Sequence, residues 1–259
     1  MKKNGRFLCL GLILAMTTFL SSCVTPPPKP SPACLPQTRI PPPPAALRQD
    51  TYHIVAPGET LWRISKMYDV PAEEVARANA LTARDPVLRK GQRLLVPDAA
   101  PLIPVITLYP SEKWQYIIIH HSATDEGNAL FFDKAHLRKG WDGVGYHFVI
   151  DNGSKGKRDG QIEVSPRWLK NKRGSHCRAD GMNYKAIGIC LVGNFSKDQP
   201  TPRQMQALVD LTAKLMKYYH ISRSRVMGHG QVRGASTECP GTRFPWGEFN
   251  RRLNADLRS

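Results

Sequence analysis

Residues Tyr116–Asp125 read "YIIIHHSATD". A tyrosine and three isoleucines run straight into two adjacent histidines, then into small and polar residues. Such a run predicts a buried strand whose end delivers polar groups to a surface. Successive side chains on a strand point to opposite faces. The two histidines therefore cannot both reach one point from a regular strand, and alternation alone does not say which one faces a site.

Working outward, strands are predicted over residues 115–120, 145–150 and 186–192. The clearest helix begins at "TPRQMQALVDLTAKLMKYY", where Thr201 is the N-cap, Pro202 takes the first helical position and Gln204 the third. Met205, Leu208, Val209, Leu215, Met216 and Tyr219 fall on one stripe of it. A further helix is expected over residues 246–257. Strands interspersed with helices predict an α/β domain with a mixed central sheet and helices packed on it.

A second polar cluster is "MGHGQVRGASTECPG", residues 227–241. His229 and Cys239 stand ten residues apart, among glycines and a Cys-Pro-Gly turn. Neutral imidazole and thiolate are good zinc ligands. Two close ligands with a third about a hundred residues earlier is a common pattern for a catalytic zinc, which uses three protein ligands and leaves the fourth position to water. A structural zinc calls for a fourth protein ligand, typically in a Cys-x-x-Cys pair, and the chain has none. On the residues alone, simple packing of His229 beside Cys239 explains the cluster as well.

Residues 51–97 form a separate small unit. "YHIV" is a short strand and Pro57-Gly58 a turn. Leu61, Ile64 and Tyr68 recur at helical spacing, and Pro71 opens a second short helix. Lys90-Gly91 turns the chain into a closing strand, "RLLVP". The order is β-α-α-β. The strings "YHIVAPGETLWRIS", "ARAN" and "KGQRLLVP" resemble the LysM domain over the whole unit. The resemblance implies binding of glycan containing N-acetylglucosamine in a shallow groove. The loop Gly58, Glu59, Thr60, Leu61 would form one wall and the loop from Asn79 to Leu88 the other. For Leu61 and Ile64 the spacing favours core packing instead.

Beyond it, "YIIIHHSAT", "GWDGVGYHFVI", "GSHCRADGMNYKAIGICLVGNF", "TPRQMQAL" and "MGHGQVRGASTECPG" together resemble N-acetylmuramoyl-L-alanine amidases of the phage-lysozyme and peptidoglycan-recognition-protein type. The resemblance runs from about Tyr116 to Trp246. It implies an enzyme that cuts the amide between the lactyl group of muramic acid and the L-alanine of the stem peptide with a zinc-activated water. The family's zinc ligands fall on His120, His229 and Cys239, so the resemblance selects His120 over His121. Tyr146 falls on the tyrosine that assists catalysis. His147, His176 and Asn183 are candidate substrate contacts, and for each of the two histidines a structural role is the equal alternative. Where some members carry a glutamate base this chain has Cys190, and where phage members carry a lysine it has Thr237. Tyr146 with a second hydrogen bond from Thr237 is the expected proton-handling pair. The rival expectation is a murein-binding lipoprotein that anchors and cuts nothing.

The first residues bear on location. Lys2, Lys3 and Arg6 precede an apolar stretch from Phe7 to Leu20, too short to span a bilayer comfortably and shaped like a secretory signal. It ends in "LSSC", which resembles a lipobox and implies lipidation of Cys23 after removal of residues 1–22. Ten prolines in the 27 residues from Val24 to Asp50 forbid helix and sheet alike and predict a stiff spacer. The expected organisation is a signal at 1–22, an anchored linker at 23–50, LysM at 51–98, a second linker at 99–110 and the amidase at 111–259. Val24, rather than aspartate, after the lipidated cysteine favours an outer-membrane anchor facing the periplasm in a Gram-negative cell. Hydrophobic residues make up 41% and charged residues 22%, which excludes a membrane bundle. The formal charge of +16 suits anionic lipid and murein carboxylates, and no nucleic-acid fingerprint accompanies it. Cys177 and Cys190 could pair as a disulfide or stay as buried thiols.

Overall fold

The computed structural model describes residues 47–82 and 86–258. The expected signal, Cys23, Cys34, the linker up to residue 46 and residues 83–85 of the second LysM loop lie outside the described residues. No helix among the described residues is long and apolar enough to cross a membrane.

The small unit has the expected order: β1 (Gln49–Ile54), α1 (Leu61–Tyr68), α2 (Ala72–Ala78) and β2 (Arg93–Ala99). β1 and β2 pair antiparallel, with Tyr52 opposite Leu95. Thr60 caps α1, its hydroxyl accepting from Arg63 N–H at 3.2 Å. Leu61, Ile64, Tyr68, Val75, Leu94 and Val96 are all buried in one core, so the period-3.6 stripe packs inward as it must for so short a helix to persist.

The larger unit runs β3 (Tyr116–His121), α3 (Ala129–Arg138), β4 (Phe148–Asn152), β5 (Asp159–Val164), α4 (Pro166–Leu169), α5 (Met182–Lys185), β6 (Ala186–Leu191), α6 (Pro202–Tyr219), β7 (Val226–Gly228) and α7 (Trp246–Asp256). The sheet order is β5-β4-β6-β3-β7. β3 lies parallel to both β6 and β7, β4 parallel to β6, and β4 antiparallel to β5. The mixed sheet flanked by helices is therefore as read. Ile117, Ile119, Phe148, Ile150, Ile187 and Ile189 meet Leu208, Leu215, Phe249 and Leu253 in the main core. Ile118 faces the other way, against Cys177, Met182 and Val232. The α6 capping box is complete: Thr201 Oγ1 accepts from Gln204 N–H at 3.0 Å and Gln204 Oε1 accepts from Thr201 N–H at 3.1 Å. Gln204 Nε2 also donates to the carbonyls of Ile150 and Val192, hooking the helix onto the sheet.

The strand expected from residue 145 begins only at Phe148. Gly145 N–H is taken by His136 Nδ1 at 3.0 Å and its carbonyl accepts from Ser175 N–H at 2.9 Å, so at Gly145 the chain is bonded to α3 and a loop. Bonding to β6 starts only at His147, whose N–H donates to Gly188 O at 2.9 Å. The two units also share hydrogen bonds. Lys157 Nζ, which lies 2.8 Å from Glu163 Oε2, donates to Ile54 O at 2.8 Å. Lys90 Nζ donates to Asp133 Oδ2 at 2.8 Å.

Candidate metal centre and groove

Strand register brings the first two groups together. β3 pairs with β7 so that Ile119 faces Gly228. The next residues, His120 and His229, therefore meet at the carboxyl edge of the sheet, with ring centroids 4.8 Å apart. That edge is where open α/β sheets carry ligands. After His229 the chain doubles back. Gly230 N–H donates to Cys239 O at 2.6 Å, and a Cβ on Gly230 would lie 2.4 Å from the Thr237 carbonyl oxygen. Only glycine permits that closure. It sets Cys239 Sγ 3.6 Å from His120 Nδ1. The candidate ligand atoms of His120, His229 and Cys239 all lie within 4.8 Å of one another.

His121 takes no part through its ring. Its Nδ1 accepts from Phe195 N–H at 3.0 Å on the opposite face. Its backbone N–H points the other way, at Cys239 Sγ, 3.4 Å distant.

The donor set fits zinc. Burial and then the neighbouring histidines hold His120 well below the usual imidazole range. Burial alone lowers His229. Both rings are thus neutral with a lone pair to offer. Burial pushes the Cys239 thiol up to about 12, against the opposing pull of its hydrogen bond to the His121 backbone. A divalent cation is what would turn such a thiol into a thiolate. Two nitrogens and one sulfur with no carboxylate suit zinc. Nitrogen and sulfur at bond lengths of about 2.0 and 2.3 Å from one tetrahedral zinc would stand about 3.5 Å apart, close to the 3.6 Å between His120 Nδ1 and Cys239 Sγ.

Tyr146 overlooks this centre, its ring centroid 5.2 Å from that of His120. Burial, and then Cys190 and Cys239, raise its pKa well above the usual phenol value, so it keeps its proton. Cys190 faces His120 across the β3–β6 register, and its thiol contributes to the rise in the Tyr146 pKa. Thr237 is exposed at the rim, its hydroxyl accepting from Cys239 N–H at 3.2 Å.

A groove of about 1130 Å³ opens beside the centre, lined by Trp141, Arg173, Arg178, Tyr184 and His229 among others. Arg173 donates to Tyr184 Oη at 2.7 Å. Of the groove's lining, the sequence singles out His176, Cys177, Asn183 and His229, but not Trp141, Arg173, Arg178 or Tyr184. Only their basic and aromatic character beside "GSHC" could have signalled them.

Several expected contacts are placed elsewhere. His147 is fully buried. Its Nδ1 accepts from Gly188 N–H at 2.9 Å and its Nε2 lies 3.1 Å from Lys172 O, so it staples the fold and cannot touch a substrate. His176 lines the groove, but both its ring nitrogens are engaged within the protein. Asn183 does line the groove, but its Oδ1 is bonded to the backbone of His176 and Cys177. In the LysM unit, the Glu59 carboxylate is buried against His53 at 2.7 Å and Ala56 N–H at 2.7 Å. Burial pushes its pKa up, but His53, Lys157 and the Ala56 N–H together outweigh that and hold it low. The Asn79 side chain makes three bonds, to Val75 O and to both backbone groups of Leu95. Leu61 is core. The expected glycan walls are thus largely committed to folding. Gly58 and Thr60 remain exposed, and a Cβ on Gly58 would lie 3.2 Å from both Pro166 and Leu169 of the larger unit. Cys177 and Cys190 are free thiols.

Two imidazoles and a thiol gathered at the carboxyl ends of the parallel strands of a mixed sheet, beside a basic groove, define a class: an α/β domain with a metal-capable centre next to an open groove. Residues 110–242 match the family described as N-acetylmuramoyl-L-alanine amidase, and residues 53–97 match the LysM domain. Curated relatives include the endolysin of Enterobacteria phage T3, 34% identical over 57% of this chain and 94% of that protein. Peptidoglycan-recognition protein SC2 of Drosophila melanogaster is 32% identical over 52% of this chain and 71% of that protein. Among solved structures, an N-acetylmuramoyl-L-alanine amidase from Clostridium intestinale is 35% identical, covering 59% of this chain and 99% of that one, with a TM-score of 0.47. The chain belongs to the N-acetylmuramoyl-L-alanine amidase family and carries a LysM domain.

Proposed function

We propose that this protein is a zinc-dependent amidase that hydrolyses the bond between the lactyl group of N-acetylmuramic acid and L-alanine in peptidoglycan. The observation that carries the reading is the convergence of His120, His229 and Cys239 beneath a protonated Tyr146. Zinc held by these three would supply Lewis acidity and a water whose pKa is brought toward neutrality. The chain's own residues supply the rest. Tyr146, kept neutral by burial, donates toward the carbonyl oxygen as negative charge develops on it. Thr237, exposed at the rim, offers a second hydroxyl near the departing amine. Arg173 and Arg178 line the groove where the carboxylates of a stem peptide would lie. One water is consumed, and the products are a lactyl carboxylate and a free L-alanine amine.

The LysM unit keeps the enzyme on its polymer by adding a second point of attachment. A lipid at Cys23 and an outer-membrane location facing the periplasm belong to the same proposal. Purified murein incubated with the protein should release stem peptides bearing a new L-alanine amine, and a chelator should stop it until zinc is restored. His229→Ala or Cys239→Ala variants that still cut would refute the metal reading. Native protein without bound metal would favour a binding role without catalysis.

A further inference from the structure

We infer that His176 is a positioning residue for His120: it selects the one ring tautomer that leaves His120 Nδ1 free to hold a metal. The inference rests on the reading of His120, His229 and Cys239 as a metal centre. His120 Nε2 and His176 Nδ1 are 3.0 Å apart. Between two neutral rings, one nitrogen must carry the hydrogen and the other must accept it. The far side of His176 decides which. His176 Nε2 lies 3.3 Å from the Ala186 carbonyl oxygen, and a carbonyl can only accept. The His176 proton is therefore on Nε2, and its Nδ1 is an acceptor. His120 must then donate from Nε2, which leaves a lone pair on Nδ1, the atom 3.6 Å from Cys239 Sγ. A backbone carbonyl that cannot reverse its role thus sets the polarity of the whole chain. This is how outer partners orient metal-binding histidines.

The seat of the His176 ring is built for it. A Cβ on Gly174 would lie 2.3 Å from His176 Cδ2, and one on Gly188 would lie 2.4 Å from the same atom. Both positions must lack a side chain for the ring to enter. Asn183 pins the loop from below. Its Oδ1 accepts from His176 N–H at 2.8 Å and from Cys177 N–H at 2.9 Å, and its carbonyl accepts from Gly174 N–H at 2.8 Å. A substrate contact would call for a free ring nitrogen, and His176 has none to spare.

The test uses the full chain and two readouts, zinc affinity by chelator competition and imidazole tautomers by long-range proton–nitrogen NMR of the metal-free protein. Wild type should show His120 protonated on Nε2. His176→Ala should mix the His120 tautomers and weaken zinc binding about 10–100-fold. His176→Asn, which returns an acceptor near the Nδ1 position, should recover most of that affinity. Should His176→Ala fail to fold, His176→Gln takes its place, since its amide sits near the Nε2 position and should not rescue. A wild-type His120 protonated on Nδ1, or a His176→Ala protein that binds zinc as tightly as wild type, would overturn the inference. Wild type with the expected tautomer but no zinc affinity would instead refute the metal centre while leaving the tautomer selection standing.

Discussion

Replacing Lys157 by methionine tests how the two units hold together. Lys157 Nζ is 2.8 Å from Glu163 Oε2, and the two side chains are 2% and 0% exposed. At an effective dielectric of about 20, that separation corresponds to about 6 kcal/mol of gross attraction. Much of it is offset by desolvation, and removing one member of a buried pair costs about 3–5 kcal/mol, because the other charge is stranded. Glu163 would be badly stranded: Asp151 lies beside it, fully buried, with neither oxygen in a hydrogen bond of ordinary geometry. Its Oε1 is held by Ala129 N–H at 2.5 Å, at the start of α3, so it cannot swing out to water. Ile54 O in the LysM unit would lose its donor as well. In a body of this size about 3–5 kcal/mol lowers Tm by roughly 6–20 °C. Thermal melts by circular dichroism at neutral pH would read it. Lys157→Met/Glu163→Gln, which removes both charges yet keeps an acceptor for Ala129, should regain more than half of the loss. A single variant melting within about 2 °C of wild type, less than the cost of 1 kcal/mol, would refute the reasoning. So would a double variant no better than the single.

Tyr146→Phe should lower kcat about 10²–10³-fold with zinc content and KM little changed, and steady-state kinetics beside metal analysis would check it; an unchanged kcat removes Tyr146 from the chemistry. Burial first, and then Glu163, raise the Asp151 pKa well above the usual carboxyl value. The folded chain therefore keeps a proton that the unfolded chain releases, and the associated stability is complete below the ordinary carboxyl range and lost as pH rises through the raised value. Asp151→Asn should match wild type in acid and exceed it in stability at neutral pH and above, as read by urea denaturation across pH; a constant difference at all pH values would contradict this. Asn79→Ala should cost about 3 kcal/mol, one for each of its three hydrogen bonds. The loss should appear in LysM unfolding by urea, and a variant as stable as wild type would return Asn79 to the list of glycan contacts.

Much of the frame was legible before any coordinates. The "YIIIHH" strand, the capped α6 and the βααβ order of the small unit follow from local rules: hydrophobic period, proline at the first helical position, a hydroxyl that satisfies an orphan backbone N–H. What was missed lacks such local signals. β7 has three residues, too few to show a period. β5 reads DGQIEV and buries a glutamate whose counter-charge, Lys157, becomes visible only in space. α3 buries Asp133 and His136 on its inner face, which blurs an apolar stripe.

The candidate site divides along the same line. Alternation along β3 was enough to say that one of His120 and His121 turns away, and the chain's stock of imidazole and thiol was enough to suggest zinc chemistry. Sequence by itself determined the residue types, the two units and the strand that presents the pair. Tertiary structure decided the roles. The β3–β7 register put His120 beside His229, and the turn at Gly230 folded Cys239 back onto His120, 119 residues away along the chain. His147 and His176, indistinguishable by composition, became a staple and a support for His120 because of the backbone atoms they meet. Periodicity acts over a few residues and can be read along the chain. A histidine's tautomer, a thiol's charge and a carboxylate's partner depend on groups that only the folded chain brings within 4 Å.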